Sequence, residues 1–376
     1  MILLLILFMF TLSFSLNVRE INSQSYQLVE YMKRVEEFPD YIDGSLVREW
    51  ITRDRLPEGK LYVDSNELTQ RDMEEFLREA NLEGIREKGR VLFGFTIKRT
   101  NMRMYPSDKT VHKGDSRVDY NQYTLLEPLT PLAILHSSRS GEWLYVHAPF
   151  MRGWVKSSLI VPASRDDLRK VKSMPFLMVR VSKVSLGGIE FGLGARVPYY
   201  RREGNRYLVM LPGKKKVWVE KGREFQEGYT NFSPELAKEI LEGLLGTPYD
   251  WGGKEGRWDC SSLVQNLYSL FGLELPRNSA QQALIGRVVS KGFKSYEEFK
   301  ETLRTLPPFR TLLFMKGHVI LYGGMEKGDI VLYHAVNSLN TEDGTRWHIR
   351  SIHKNLVERD RIRNIHKAII SVNVLD

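Results

Sequence analysis

The feature that most constrains this chain is a glycine-rich loop that leads into its only cysteine, Cys260. The apolar residues that follow lie at helical spacing on one face: Leu263, Val264, Leu267 and Leu270. Asp259 suits the position before a helix, and Gly272 suits its end. The pattern therefore predicts Cys260 in the first turn of a helix, where backbone N–H groups and the helix dipole favour a thiolate. The same pattern also fits a cysteine that is only a small core residue.

Two histidines lie in successive strand candidates nearer the end of the chain, His318 in one strand and His334 in the next. A turn centred near Glu326 would place Tyr322 opposite Ile330 and His318 opposite His334. Because side chains alternate along a strand, these even-numbered positions share one face. Residues directly opposite each other have Cβ atoms about 5 Å apart. The spacing therefore predicts that the two imidazole rings meet.

Four short segments carry a recognisable set of motifs. They are Tyr249-Asp-Trp-Gly-Gly253, Asp259-Cys-Ser-Ser-Leu-Val264, Leu275-Pro-Arg-Asn-Ser-Ala-Gln-Gln282 and His318-Val-Ile-Leu-Tyr322. In this order the segments resemble the motifs of the NlpC/P60 family of cell-wall cysteine peptidases. The resemblance extends over residues 233–340. It implies a papain-like α+β fold for this part of the chain.

The resemblance also implies a role for each motif residue. Cys260 corresponds to the nucleophile, His318 to the base and His334 to the third residue that orients the base. Asn337 is the alternative third residue if His334 lies too far from His318. Backbone N–H groups at the helix start, helped by the Tyr249 hydroxyl, would stabilise the oxyanion. Three further residues match substrate-binding positions of the family: Asp259, Ser261 and Ser279.

The substrate class follows from the same resemblance. Relatives cut peptidoglycan stem peptides, and the expected bond joins γ-D-glutamate to the diamino acid. One alternative is a cell-wall binding protein with an inactive peptidase domain, although the intact Cys260 and His318 argue against it. Another alternative is an amidase or acyltransferase that uses the same thiolate on a different acyl group.

The chain before this region shows short β-type runs separated by turn residues. One such unit ends in Gly153-Trp-Val155, which resembles the end of a bacterial SH3-like domain. We predict two SH3-like β-barrels, at residues 89–163 and 164–225, ahead of a catalytic domain at residues 226–376. The predicted fold class is therefore α+β.

Residues 17–88 are predicted to form a helical N-terminal stabilising segment. The clearest part is an amphipathic helix over residues 65–80, with Leu68, Phe76 and Leu77 as candidates for its buried face. By itself this segment shows no chemistry.

The first residues, 1–16, are almost wholly apolar. They are shorter than the roughly 20 residues that a transmembrane helix needs, and they resemble the core of a signal peptide. An uncleaved membrane anchor is the alternative. Either interpretation predicts an exported protein, in the periplasm or cell envelope.

Composition limits the remaining function classes. The 376 residues include 55 basic and 46 acidic side chains, a net charge of +9 that is spread along the chain. We therefore expect a solvated basic surface and no nucleic-acid partner. A single cysteine excludes an intramolecular disulfide, and no zinc-binding spacing is present. No metal or other cofactor is predicted, and a monomer is expected.

Overall fold

The computed structural model describes residues 16–115 and 118–376, which divide into two units. The C-terminal unit contains residues 16–29, 229–248 and 260–376. The N-terminal unit contains residues 30–115, 118–228 and 249–259. The segment predicted as signal peptide or anchor lies outside the described residues, except for Leu16.

The described helices and strands run in chain order as follows. The helices are α1 (Val18–Leu28), α2 (Gly44–Arg53), α3 (Gln70–Glu79), α4 (Arg165–Ser173), α5 (Pro234–Leu244), α6 (Cys260–Ser269), α7 (Ser279–Gln282) and α8 (Tyr296–Arg304). The first strands are β1 (Tyr41–Asp43), β2 (Tyr62–Val63), β3 (Asn66–Glu67), β4 (Lys88–Arg90), β5 (Leu92–Thr96), β6 (Thr100–Arg103), β7 (Val111–His112), β8 (Gln122–Leu126), β9 (Pro131–Ser137), β10 (Trp143–Ala148), β11 (Met151–Lys156) and β12 (Ile160–Ala163). The later strands are β13 (Phe176–Val179), β14 (Lys183–Leu186), β15 (Ile189–Gly192), β16 (Arg196–Glu203), β17 (Arg206–Leu211), β18 (Lys215–Glu220), β19 (Phe225–Glu227), β20 (Arg287–Ser290), β21 (Thr311–Met315), β22 (His318–Glu326), β23 (Asp329–Asn340), β24 (Arg346–Leu356) and β25 (Ser371–Val374).

The first SH3-like region is an antiparallel sheet of seven strands in the order β12-β5-β9-β10-β11-β6-β8. Its interior is filled by large aromatic side chains, and Trp154 is fully buried against Tyr145 and His136. Short β-type runs are predicted for this region, and residues 132–136 and 143–147 lie within β9 and β10. Alternating inward side chains thus build this core, as in other antiparallel sheets.

The second SH3-like region contains a five-stranded sheet in the order β18-β17-β16-β13-β19 and the hairpin β14-β15. Leu177, Phe191 and Tyr207 are fully buried in its core. The Tyr207 and Tyr199 hydroxyls both donate to the Glu227 carboxylate, which closes the sheet at β19. The strands predicted from alternation and glycine-rich turns are therefore present.

The amphipathic helix predicted at residues 65–80 begins later, as α3. The Thr69 hydroxyl accepts from the Asp72 N–H, and the Asp72 carboxylate accepts from the Thr69 N–H, so the pair caps the helix. Phe76 is buried as predicted, but Leu77 is 43% exposed, so its assignment to the core is wrong. The physical reason is that only a narrow face of this polar helix contacts the core.

The C-terminal unit is built on a six-stranded sheet in the order β20-β25-β21-β22-β23-β24. Helix α6 packs against β22 and β23, and α8 packs against β22. Helix α5 begins with the Ser233 hydroxyl accepting from the Leu236 N–H and with Pro234 in the first helical position. This arrangement fixes the Cys260 helix on the two strands that carry His318 and His334.

Helix α1 belongs to the C-terminal unit, although it lies far from the rest of that unit in sequence. The Asn22 amide donates to the Gly272 carbonyl at 2.9 Å and accepts from the Glu274 N–H at 2.7 Å. The Gly286 N–H donates to the Gln24 side chain at 2.9 Å. The predicted segment 17–88 is thus shared between the two units.

Candidate active site

Cys260 is the first residue of helix α6 and is 7% exposed. The predicted position of the cysteine, in the first turn of a helix, is therefore confirmed. Backbone N–H groups of a first helical turn have no partner within the helix, and they favour negative charge nearby. The position suits a thiolate and, later in a reaction, an oxyanion.

The loop before Cys260 belongs to the N-terminal unit and is held by its own glycines. Gly252 and Gly253 both have φ of +67°, a conformation that side chains with a Cβ rarely adopt. A Cβ on Gly252 would lie 2.4 Å from the Gln122 side chain. The Asp259 carboxylate accepts from the Gly252 N–H at 2.9 Å. Asp259 therefore fixes the shape of the loop that ends at the cysteine.

The two predicted histidines meet. His318 Nε2 lies 2.8 Å from His334 Nδ1, which is hydrogen-bonding distance. His318 is half-buried as the first residue of β22, whereas His334 is 1% exposed within β23. The expected contact between the rings is confirmed. Asn337, the alternative partner, is not needed to explain the orientation of His318.

The pairing that produces this contact differs from the prediction. Tyr322 lies opposite Leu332 rather than Ile330, because the hairpin turns between Glu326 and Asp329 and a bulge at Gly323 shifts the register. His318 and His334 are consequently diagonal neighbours and not direct partners. The shift is an even number of positions, so both rings stay on one face of the sheet.

Two residues that the sequence reasoning missed extend the histidine pair. His334 Nε2 lies 2.8 Å from the Asn355 side-chain oxygen, and the Asn355 amide donates to the Asp360 carboxylate at 2.7 Å. Asn355 lies on β24 and is fully buried. The one sequence signal for Asn355 was its polar side chain inside a strand, two positions after His353. In the sheet, His353 pairs with His334.

Burial determines the charge of His334. Its pKa is lowered to about 3, first by removal from water and then by the neighbouring His318, while the bond to Asn355 opposes the shift. His334 is therefore neutral at physiological pH. A neutral imidazole has one N–H and one lone pair, so it can accept a hydrogen bond from His318 while donating another.

The segment Leu275–Gln282 braces the first turn of α6. Arg277 is 2% exposed, and its guanidinium donates to the Ser261 hydroxyl at 2.8 Å. The Gln282 amide donates to the carbonyls of Ser261 and Pro276, both at 2.9 Å. Ser279 begins α7 and is half-buried. Ser261 is thus a structural partner of Arg277, whatever else it contacts.

Tyr249 is half-buried and lies in the N-terminal unit, where it pairs with Trp258 in an isolated bridge. Beside it, Asp250 is buried, and this burial raises the pKa of its carboxyl to about 6 although Arg257 opposes the shift. Asp250 can therefore gain a proton in mildly acidic solution.

No group of three His, Cys, Asp or Glu side chains within residues 16–115 and 118–376 is arranged to hold a metal ion. In the same residues, no helix has the length and apolar character needed to cross a membrane.

Two parts of the chain match known domain families. Residues 246–362 match the model of the NlpC/P60 family, and residues 107–156 match an SH3 domain of the SH3b1 type. The gamma-D-glutamyl-L-lysine dipeptidyl-peptidase of Bacillus cereus strain ATCC 10987 is 29% identical over 108 residues. That match covers 27% of this chain and 32% of the relative, so the chain spans about a third of the relative's length.

Two solved structures share the fold over most of the chain. An NlpC/P60 endopeptidase from Photobacterium damselae subsp. piscicida has a TM-score of 0.70 at 18% identity, covering 95% of this chain and 92% of that one. An NlpC/P60 family protein from Bacillus cereus ATCC 10987 has a TM-score of 0.56 at 16% identity, covering 75% of this chain and 98% of that one. The α+β fold class is therefore confirmed. Residues 246–362 of the chain therefore form an NlpC/P60 domain, with an SH3 domain of the SH3b1 type ahead of it at residues 107–156.

Proposed function

We propose that this protein is an endopeptidase that cuts the bond between γ-D-glutamate and the diamino acid of peptidoglycan stem peptides. The observation that carries the proposal is the 2.8 Å contact of His318 with buried His334, on strands that pack against the Cys260 helix. A neutral, fixed acceptor behind a half-buried histidine suits a general base next to a nucleophile. The substrate class is supported by the family and by the name of the curated relative.

The proposed reaction begins when His318 takes the proton from the Cys260 sulfur. The thiolate attacks the γ-carbonyl carbon of D-glutamate, and the carbonyl oxygen becomes an oxyanion. Backbone N–H groups of the first turn of α6 stabilise that charge. His318 then gives its proton to the leaving amine, and a thioester remains on Cys260.

Water completes the cycle. His318 takes a proton from a water molecule, and the resulting hydroxide attacks the thioester carbonyl. The second oxyanion collapses and breaks the carbon–sulfur bond, and His318 returns its proton to the Cys260 sulfur. The product leaves as the free γ-carboxylic acid, which loses its proton to water. His334 stays neutral throughout, because its burial disfavours the uptake of a second proton. It supports the imidazolium form of His318 by accepting its Nε2–H.

We assign substrate binding to three residues near the nucleophile. Ser279 is half-buried at the start of α7 and is the least buried of the three residues. Ser261 and Asp259 are 5% and 7% exposed and hold α6 and its preceding loop, so they shape the site around the peptide. An amino group with a positive charge is the natural partner of the Asp259 carboxylate.

The decisive experiment is digestion of stem peptides, both free and still linked to the sugar as muropeptides, with identification of the products by mass. The proposal expects L-alanyl-γ-D-glutamate and a fragment that begins with the diamino acid. Cys260→Ser should fold normally and lose several orders of magnitude in rate, because a serine hydroxyl is far less ionised than a thiol.

Two results would contradict the proposal. No cleavage of any stem peptide would favour a cell-wall binding protein. Cleavage between the sugar and L-alanine would indicate an amidase.

We also propose that the protein is exported to the cell envelope, where peptidoglycan lies. The support is the apolar character of residues 1–16, which suits a signal peptide or an anchor.

A further inference from the structure

A line of hydrogen bonds continues from the histidine pair to a carboxylate on the far side of β24. His334 Nε2 meets the Asn355 oxygen at 2.8 Å, and the Asn355 amide nitrogen meets Asp360 Oδ2 at 2.7 Å. The same Asp360 oxygen also accepts from the Leu356 N–H at 3.0 Å. Asn355 is fully buried, so its amide has few alternative partners.

The Asp360 carboxylate determines which way the Asn355 amide points. An ionised carboxylate can only accept hydrogen bonds, so the group facing it must be the amide NH₂ of Asn355. The amide oxygen of Asn355 must then face His334. An amide oxygen also only accepts, so His334 has to donate to it.

This requirement fixes the tautomers of both histidines. His334 carries its single proton on Nε2, because Asn355 needs a donor there. Its Nδ1 is therefore a lone pair and can only accept from His318 Nε2–H, 2.8 Å away. A neutral His318 with its proton on Nε2 has an unprotonated Nδ1.

We propose that Asn355, turned by Asp360, is a positioning residue that makes Nδ1 of His318 the unprotonated, basic nitrogen of the site. This inference deepens the proposed peptidase function and rests on it. The thiol proton of Cys260 passes to His318 Nδ1 and leaves from the same atom. No proton moves along the chain to Asp360.

The opposite orientation of the Asn355 amide would give the wrong tautomer of His318. If the Asn355 NH₂ faced His334, then His334 Nε2 would be the acceptor and Nδ1 would carry the proton. His318 would have to accept at Nε2, and its own proton would lie on Nδ1. That tautomer has no lone pair to offer at Nδ1, so it could not take up a thiol proton there.

The structure offers a matched control for a test. Asn373, on β25 of the same sheet, is also fully buried, and its amide donates to two backbone carbonyls at 2.9 Å. It has no bond to either histidine among the contacts of the described residues. Asn355→Leu and Asn373→Leu therefore remove the same chemical group from one sheet, but only the first touches the line of hydrogen bonds.

The first measurement is two-bond ¹H–¹⁵N NMR of the resting protein, which reports the tautomers without substrate. We expect His334 and His318 both to be protonated on Nε2 in the wild type and in Asn373→Leu. Asn355→Leu should give a mixture of tautomers. Asp360→Asn leaves Asn355 in place. It should also give a mixture of tautomers, because the new amide at position 360 can donate or accept and so no longer dictates one orientation of the Asn355 amide.

The second measurement is turnover of stem peptides. Asn355→Leu should lower kcat by about ten- to a hundredfold, the scale known for losing a partner that orients a metal-bound histidine, with little change in KM. Asn355→Asp keeps an oxygen for His334 Nε2–H and should recover part of that loss. Asn373→Leu should keep the wild-type kcat.

The outcomes separate the two proposals. Unchanged tautomers in both Asn355→Leu and Asp360→Asn would overturn the role of Asn355, as would equal kcat losses in Asn355→Leu and Asn373→Leu. If instead the tautomers change as expected but the wild type cleaves no stem peptide, the positioning inference holds in its geometry and the proposed function fails.

Discussion

Lowering the pH from 7.5 to 5 should destabilise the C-terminal unit through His334. Burial lowers the pKa of this histidine from 6.5 to about 3 in the folded protein. Between those two values the unfolded chain binds a proton that the folded chain excludes. The free energy of unfolding therefore rises with pH in this window, and the stabilisation is lost as the pH falls below 6.5.

The size of the effect follows from the same shift. At pH 5, about 1.5 pH units below the unfolded value, the loss is about 2 kcal/mol, since each pH unit contributes about 1.4 kcal/mol. Nearer pH 3 the loss would approach about 5 kcal/mol. Solvent does not weaken this effect of His334, because the side chain is 1% exposed.

Urea unfolding of the wild type and of His334→Gln, each at pH 7.5 and pH 5, measures this contribution. Glutamine does not titrate. On acidification the free energy of unfolding of His334→Gln should therefore fall by about 2 kcal/mol less than that of the wild type. His147, in the N-terminal unit, also has its pKa lowered to about 3 by burial, but it is present in both proteins and cancels in the difference. Histidine NMR gives the pKa directly.

Two results would refute the reasoning. One is an NMR titration of His334 near pH 6.5, which would show that the ring is accessible to protons in the folded state. The other is an equal loss of stability in both proteins between pH 7.5 and pH 5.

Three further predictions test other parts of the structure. His318→Ala should lose nearly all turnover, whereas His334→Asn and His334→Gln should each retain more activity than His334→Ala, and all three His334 variants should exceed His318→Ala. The measurement is kcat on stem peptides, and the reverse order would exchange the roles of the two histidines. Asp119→Asn should lower the thermal stability of the N-terminal unit by about 3–5 kcal/mol, because it leaves the buried Arg103 guanidinium, 2.8 Å away, without its carboxylate; an unchanged melting temperature would contradict this. Protein recovered from the cell envelope should lack most of residues 1–16 by N-terminal sequencing, and membrane-bound protein that keeps this segment would indicate an anchor instead.

Local sequence patterns were sufficient to locate the main elements of the site. A polar cap followed by apolar residues at helical spacing indicated that Cys260 begins a helix, and it does. Strand alternation placed His318 and His334 on one face, and the rings meet at 2.8 Å. Both features depend on residues close together in sequence, where steric and hydrogen-bonding preferences act directly.

Features that depend on distant pairing were beyond this reasoning. The bulge at Gly323 shifts the hairpin register, and a side chain at this position would collide with Tyr333; spacing alone reveals neither feature. Asn355 meets His334 only because β24 pairs with β23 in one particular register. Leu77 was assigned to the core by helical spacing, but the amount of core available to α3 is set by the rest of the N-terminal unit.

The most direct test of the central claim uses the fact that Cys260 is the only cysteine of this sequence. Iodoacetamide should add one group, located on Cys260 by mass spectrometry. Activity on stem peptides should fall in proportion to the fraction of protein alkylated, and saturating stem peptide should slow the labelling. Fully alkylated protein that still releases L-alanyl-γ-D-glutamate at the original rate would contradict the assignment of Cys260 as the nucleophile.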